Sequence, residues 1–247
     1  MHIFIDNSPV DLTIGIDHFS FEISKDRSNQ GFYGIKNIPV DPSIHVIHFQ
    51  HSDNGIRYGY WFESDISEYL QFKYSAQEEI FVPSVPSDDQ EANSYYNKFQ
   101  ELNYLMLGYP SIDEGDTWYT LTRYLKWKEL VHISENKKCN RQLIYVDSSM
   151  TTREENTLLS KVLKTRNKDT EQEIIIPSAE PILNYTPIVF KSVAAMRSDH
   201  KTEDYLDKSW YLKNVILQQY HYNSMRSLFG ELQFALLNAV FFGNYGS

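Results

Sequence analysis

The stretch LFGELQFALLNAVFF, residues 228–242, constrains this chain more than any other. Its pattern predicts a helix, yet Leu232, Phe234, Leu236, Leu237, Val240, Phe241 and Phe242 cannot share one helical face. A helix that is apolar nearly all round needs cover on every side. One long helical pattern precedes it, over Glu203–Tyr220, with Tyr205, Leu212, Val215 and Ile216 on one side and Leu206 and Leu217 widening the stripe. One helix does not cover another from all directions. The expectation is a helical domain cut short at residue 247, or a second subunit over the bare flanks, with the first preferred.

The other end of the chain reads in a different period. DLTIGIDHFSFEI alternates apolar and polar residues, with Leu12, Ile14 and Ile16 followed by Phe19, Phe21 and Ile23. The step between the two sets predicts a bulge or bend near Asp17. HVIHF and IRYGYWF are further strands, and Asn54-Gly55 between them is a hairpin signal. Strands are expected through about residue 75 and helices only from Glu91. Tyr95, Phe99, Leu102 and Met106 then fall at helical spacing, with Gly108 and Pro110 expected to stop that helix. Asp116 or Thr117 is placed to cap a short helix carrying Trp118, Leu121 and Leu125. A second short helix is expected over Trp127–His132, and QLIYVD reads as a strand. From Ser148 to Pro187 the pattern dissolves into charges, hydroxyls and Pro177, Pro181 and Pro187, with one helical stretch near Glu154–Leu163; EIIIP is read as an added strand. The division is 1–147, a β-rich domain; 148–187, a linker; 188–247, the start of a helical domain. The class is α+β.

Charge and cysteine content narrow the function. Thirty-three acidic and 23 basic side chains give a net charge of −10, which repels a phosphate backbone. The mildly basic stretches Arg123–Arg141 and Lys161–Lys168 are interrupted by acids or apolar residues and read as solvated faces. The single cysteine, Cys139, allows no disulfide within the chain, which points to a reducing compartment. The start is not a signal peptide, and no run of about 18 apolar residues forms a membrane span. The sequon at Asn184 is then chance. The chain is expected in the cytoplasm and nucleus.

His45, His48 and His51 look at first like metal ligands. A strand presents ligands at i, i+2 and a helix at i, i+4. His45 and His48 are three apart in a strand, so they are expected on opposite faces, with His51 in the turn. A structural role is preferred, and no metal or cofactor is expected. Cys139 lies beside Lys137, Lys138 and Arg141, which favour a thiolate, but no motif supplies a partner histidine. Asp113, Glu114 and Asp116 read as turn and cap residues. There is no G-x-S-x-G elbow and no glycine-rich phosphate loop. An enzyme is not expected. The alternative kept open is a metal-dependent hydrolase using His45, His48 and the Asp113–Asp116 acids; a third reading is RNA binding through the aromatic strands.

Several blocks together are similar to one family. TIGIDHFSFEI, GFYGIKNIPV, IHVIHFQHSDN with RYGYWF, YPSIDEGDTWYTLT, YVDSSMTT, LNYT, YLDKSWYL and GELQFALLNAVFFGNYGS resemble the A1-alpha2 repressor family of U5 small nuclear ribonucleoprotein (snRNP) assembly factors, in its budding-yeast form. The resemblance runs from about Val10 to Ser247. It implies an N-terminal β-rich, sandwich-like domain with a few helices, a linker, and a partial all-α domain similar to the VHS fold. It implies a chaperone without catalysis. The partner implied is pre-mRNA-processing factor eight, bound at its RNase H-like and Jab/MPN-like domains, with delayed helicase association and other U5 snRNP proteins in the assembly. Direct nucleic-acid or membrane binding is not implied. Asp147, Ser148, Ser149, Met150, Thr151 and Thr152 match the family closely without core periodicity. They are the candidate partner contact, and a domain-boundary turn is an equal reading.

Overall fold

The computed structural model describes residues 1–6, 11–23, 33–65, 69–84, 86–135, 143–166 and 181–247. Cys139 and the EIIIP strand fall outside them. The chain is α+β, with two five-stranded sheets followed by a helical region. By packing it divides into two compact units. The first is Met1–Leu121 with Tyr145–Ser148, and the second is Thr122–Ile144 with Ser149–Ser247. Packing is a different property from independent folding, and the three-part division at 147 and 187 stays a proposal.

In the first unit one sheet runs β8 (Ile80–Ser84), β7 (Tyr69–Ser75), β1 (His2–Ile5), β4 (Gly34–Lys36), β9 (Leu107–Gly108). The other runs β10 (Ile144–Asp147), β6 (Arg57–Glu63), β5 (Ile44–Gln50), β2 (Leu12–Ile16), β3 (Phe19–Ile23). Period-two alternation aims Phe49, Tyr58 and Tyr60 of the second sheet at Phe72 and Phe81 of the first. Phe49 lies 5.1 Å from Phe81 and 5.8 Å from Phe72 between ring centres, and Tyr60 donates its hydroxyl to the Phe81 carbonyl at 2.8 Å. The sheets therefore pack face to face as a sandwich. α1 (Asp89–Leu102) covers the outer side of the first sheet: Tyr95 joins Phe4 and Met106 in a buried cluster, and Phe99 packs against it. Trp118, in α2 (Thr117–Thr122), covers the outer side of the second, stacking toward Trp61 and donating its indole N–H to the Ile44 carbonyl at 3.0 Å. A strand covered on both faces reads as a continuous apolar run, which is why β5 is buried from Ile44 to Ile47.

Three local expectations are sharpened or changed. The bulge or bend expected near Asp17 is a tight turn: Ile16 pairs with Phe19 across the two residues Asp17-His18, with Asp17 at φ 54°. The step in the alternation was the turn itself. The first helix ends at Leu102 and not at Gly108, which pairs in β9 beside Lys36. Residues 201–220 form two pieces: α5 (Lys201–Leu206), then α6 (Ser209–Tyr211) continuing as a π-helix over Leu212–Tyr220. Asp207 makes the break, its carboxylate accepting from both the N–H and the hydroxyl of Ser209.

The second unit is helical. α3 (Trp127–Ile133) and α4 (Arg153–Arg166) precede α5 and α6, and α7 (Met225–Phe242) is the long apolar helix. Its Ser224 cap accepts from the Ser227 N–H, and Gly243 ends it in the left-handed region at φ 59°. Cover on every side is not what α7 has. Ser227, Gly230, Phe234, Leu237 and Phe242 are buried, while Met225, Phe229, Leu232, Leu236 and Val240 form an exposed stripe on the other side. Small residues on the buried face permit close approach. A Cβ on Gly230 would sit 2.5 Å from the Tyr124 carbonyl oxygen, and Gln233 accepts the Tyr124 N–H at 2.9 Å. Asp204, buried, takes a bidentate pair from Arg197 at 2.8 and 3.0 Å, and that hydrogen bonding lowers its pKa to about 2. Among the described residues no helix is long and apolar enough to cross a membrane.

Two outcomes follow. Gly230→Ala is expected to destabilise the chain by about 1–3 kcal/mol in urea unfolding, because the backbone must move away from Tyr124. Helix propensity alone would give the opposite sign, a gain of about 1 kcal/mol. The second concerns pH. Burial lowers the pKa of His2 to about 4 and pushes His48 and His51 below their ordinary value. The unfolded chain therefore takes up protons first as pH falls, so stability is full above about pH 6.5 and drops below it. The melting temperature is expected to fall between about pH 7 and about pH 5, and a flat profile there would refute the assignment.

Candidate functional site

The three histidines converge on hydrogen bonds within the sandwich. Because Asp17 stands in a tight turn beside β5, its carboxylate enters the space between the sheets and its carbonyl points to the other side. Asp17 and His45 are both 0% exposed. His45 Nδ1 meets Asp17 Oδ2 at 2.7 Å and its Nε2 meets the Pro39 carbonyl at 2.9 Å. A carbonyl only accepts, so Nε2 carries a hydrogen, and one further proton lies between Nδ1 and the carboxylate. The Tyr109 hydroxyl donates to the same Oδ2 at 2.6 Å, and the Val46 N–H donates to Oδ1 at 3.0 Å. Burial, with the Asp17 charge adding to it, raises the Tyr109 pKa and keeps it a donor.

His48 is on the opposite face of β5, as its spacing predicts, yet it touches the same residue: its Nε2 lies 3.1 Å from the Asp17 carbonyl. It also stands across from Gly15, where a Cβ would meet the ring at 1.8 Å, so only glycine leaves room for it. His51 bonds Tyr58 at 2.6 Å. Tyr58 also accepts the Phe81 N–H at 2.7 Å, so its hydroxyl joins His51 Nε2 to the backbone of β8. Each ring has a role in packing or bonding. Among the described residues no group of three or more His, Cys, Asp or Glu is placed to hold a metal ion.

The Asp113–Asp116 acids act locally. Asp113 accepts the Trp118 N–H at 2.9 Å, a bond that lowers its pKa, and it faces His18 at 3.3 Å. The Asp116 N–H returns to the Asp113 carbonyl, which makes this a turn leading into α2.

The residues 147–152 divide between the two units. Asp147 accepts the Tyr145 hydroxyl at 2.8 Å, and the Ser148 N–H donates to the Arg57 carbonyl at 3.1 Å. Ser149 lies in a turn. Met150 is buried and its carbonyl accepts from the buried Asn244 amide at 2.9 Å. Thr151 donates to Asn156, and Thr152 caps α4 by accepting the Glu155 N–H at 3.2 Å. Thr152 is followed three residues on by Glu155, a capping-box signature visible in the sequence.

A second polar centre, in the helical unit, went unread in the sequence. Thr186 donates its N–H and its hydroxyl to Glu231 at 2.9 and 3.0 Å, and its hydroxyl also meets His221 Nε2 at 2.8 Å. The other His221 nitrogen meets the Ser227 hydroxyl at 2.9 Å. Nearby, Arg153 holds Glu135 in a bidentate pair at 2.9 and 3.0 Å and donates to Asn184 at 3.0 Å. Asn184 in turn donates backbone and side-chain N–H groups to the Ile133 carbonyl, so the sequon asparagine is held inside this network. These residues come from four stretches of sequence, and no spacing rule links them.

Comparison with known proteins gives a consistent picture. Residues 1–135 match the model of the AAR2 N-terminal domain, and residues 185–247 match the AAR2 C-terminal repeat region. The chain is 44% identical over 242 residues to the A1 cistron-splicing factor AAR2 of Saccharomyces cerevisiae, across 98% of this chain and 65% of that protein. It thus spans just under two thirds of the length of its curated relative.

Asp17→Ala is expected to lower stability by about 3–5 kcal/mol in denaturant, since it leaves a buried histidine without its acceptor. Asp17→Asn keeps an acceptor for Val46 and tolerates positive φ, so its loss should be smaller. Equal loss in the two variants would mean that the carboxylate's charge carries the effect.

Proposed function

The chain belongs to the AAR2 family, and on that premise we propose that it is a non-enzymatic assembly factor of the U5 snRNP in pre-mRNA splicing. The observation that carries this reading is the 44% identity across 98% of the chain, which covers both compact units. Its partner is pre-mRNA-processing factor eight, engaged at the RNase H-like and Jab/MPN-like domains, and its occupancy delays the helicase. It works as a chaperone in the cytoplasm and nucleus.

The physical chemistry fits a binder that has to leave again. Such a protein needs surface contacts rather than a chemical step. The titratable groups of interest serve as internal ties: Asp17 with His45, Asp113 with Trp118, Glu231 with Thr186. A net charge of −10 suits docking against a basic, RNA-facing surface of a splicing protein. Residues 147–152, on this proposal, contribute to the contact through their exposed Ser149, with Met150 and Thr152 holding the backbone.

Calorimetric titration of the chain with the purified RNase H-like domain of processing factor eight is the direct test. A clear heat of binding is expected, with affinity falling as salt rises from about 50 to about 200 mM. No binding by a chain shown to be folded would overturn the reading for these residues, and salt-insensitive binding would overturn its electrostatic part.

A further inference from the structure

The helical unit carries an open groove whose two ends differ in chemistry. One part, about 380 Å³, is lined by Ile188, Val189, Leu228, Leu232 and Ala235. The adjoining part, about 310 Å³, adds His132, Arg153 and Asn184 to the lining, and Glu154 and Glu231 line both. The apolar part is wet at present: Leu232 is 59% exposed and Ile188 52%. The carboxylates at the other end are only partly matched: Glu231 Oε2 has His221 Nε2 at 3.6 Å. Arg153, the cation there, is already matched by Glu135. Glu231 is oriented by the Thr186 N–H and hydroxyl, while Glu154 has no hydrogen bond or ion pair among the described residues. The wall between helices α4 and α7 is the segment 184–189, which lies outside any helix or strand.

We propose that this groove docks an extended segment of a partner protein in which an apolar side chain neighbours a lysine or arginine. Burying the apolar side chain against Leu232 and Ile188 removes exposed hydrocarbon from water. The adjacent cation meets two carboxylates, one of them held in place beforehand, and gains charge-assisted hydrogen bonds. A nucleic acid fits poorly, because its phosphates would face Glu154 and Glu231. The open shape favours a chain passing through over an enclosed small molecule. The inference goes beyond the family reading and does not depend on which splicing protein supplies the segment.

Fluorescence-anisotropy titrations test it with labelled decapeptides of alternating leucine and lysine, a version with glutamate for lysine, and one with serine for leucine. The leucine–lysine peptide is expected to bind, with about tenfold weaker binding for each of the others. Glu154→Lys and Ala235→Trp should each weaken the first peptide about tenfold, and Glu154→Gln by less. Glu101→Lys, an exposed charge change on α1 in the first unit, should leave affinity unchanged, which separates the groove from net charge. Failure of the leucine–lysine peptide to bind at millimolar concentration would overturn the proposal. So would binding that both groove variants leave intact, or tighter binding of a single-stranded RNA decamer that the same variants abolish. Melting curves of the variants identify any that fail to fold, and Glu154→Gln, which changes only a charge on the surface, keeps the test decisive.

Discussion

A buried carboxylate and a buried imidazole tie the β-rich unit together. Asp17 gathers a tight turn, the neighbouring strand β5, Tyr109 from the far side of the first hundred residues, and through His45 the Pro39 carbonyl. Such a pair is expensive to desolvate, and it is tolerated only when the remaining lone pairs and protons are satisfied. Here they are: both Asp17 oxygens accept, and both His45 nitrogens are engaged. Hydrocarbon in the same place would stabilise at least as well per unit area, but it would not fix which loop meets which strand. The aromatic packing between the sheets supplies the mass of the core, and this polar knot joins the turn, β5, Tyr109 and Pro39 within it.

The helical unit uses the same device in smaller pieces. Asn244 ties Met150, Asn238 reaches Tyr185, and Glu231 secures Thr186. Burial raises the Tyr185 pKa to about 12, so its hydroxyl stays available as a donor and acceptor between Asn238 and Ser247. Each tie pins a stretch without regular structure onto a helix. That is how residues 149–152 and 181–192 become part of a compact body, although their composition reads as a connection.

Pattern in the sequence went furthest where one period ran unbroken. β2, β3, β5, β6, α1 and α3 were visible in the alternation or the helical spacing, and so was the hairpin between β5 and β6. Short edge pieces such as β9 were not, because two residues carry no period. The break between α5 and α6 depends on Asp207 capturing Ser209, a local hydrogen bond that the broader apolar stripe hides. Spacing correctly placed His45 and His48 on opposite faces. It could not show that both reach Asp17, since that depends on a turn 28 residues away from His45. The Thr186–Glu231–His221 centre was invisible for the same reason: side chains 35 to 45 residues apart meet only in the fold. The all-round apolarity of α7 led to an expectation of cover on every side, whereas the fold covers one face and leaves Met225, Phe229, Leu232, Leu236 and Val240 exposed.

The contact between Tyr124 and Gln233 spans 109 residues of chain. A ribosome adds roughly 5–20 residues per second. The stretch around α3 is therefore synthesised some 5–20 seconds before the helix that closes over it exists. The strands of the sandwich, apart from β10, precede it in the chain and have their partners sooner. Birth order thus leaves a window in which the sandwich segments are complete while α3 still waits, with Leu130 and Ile133 open to whatever holds nascent chains in the cell.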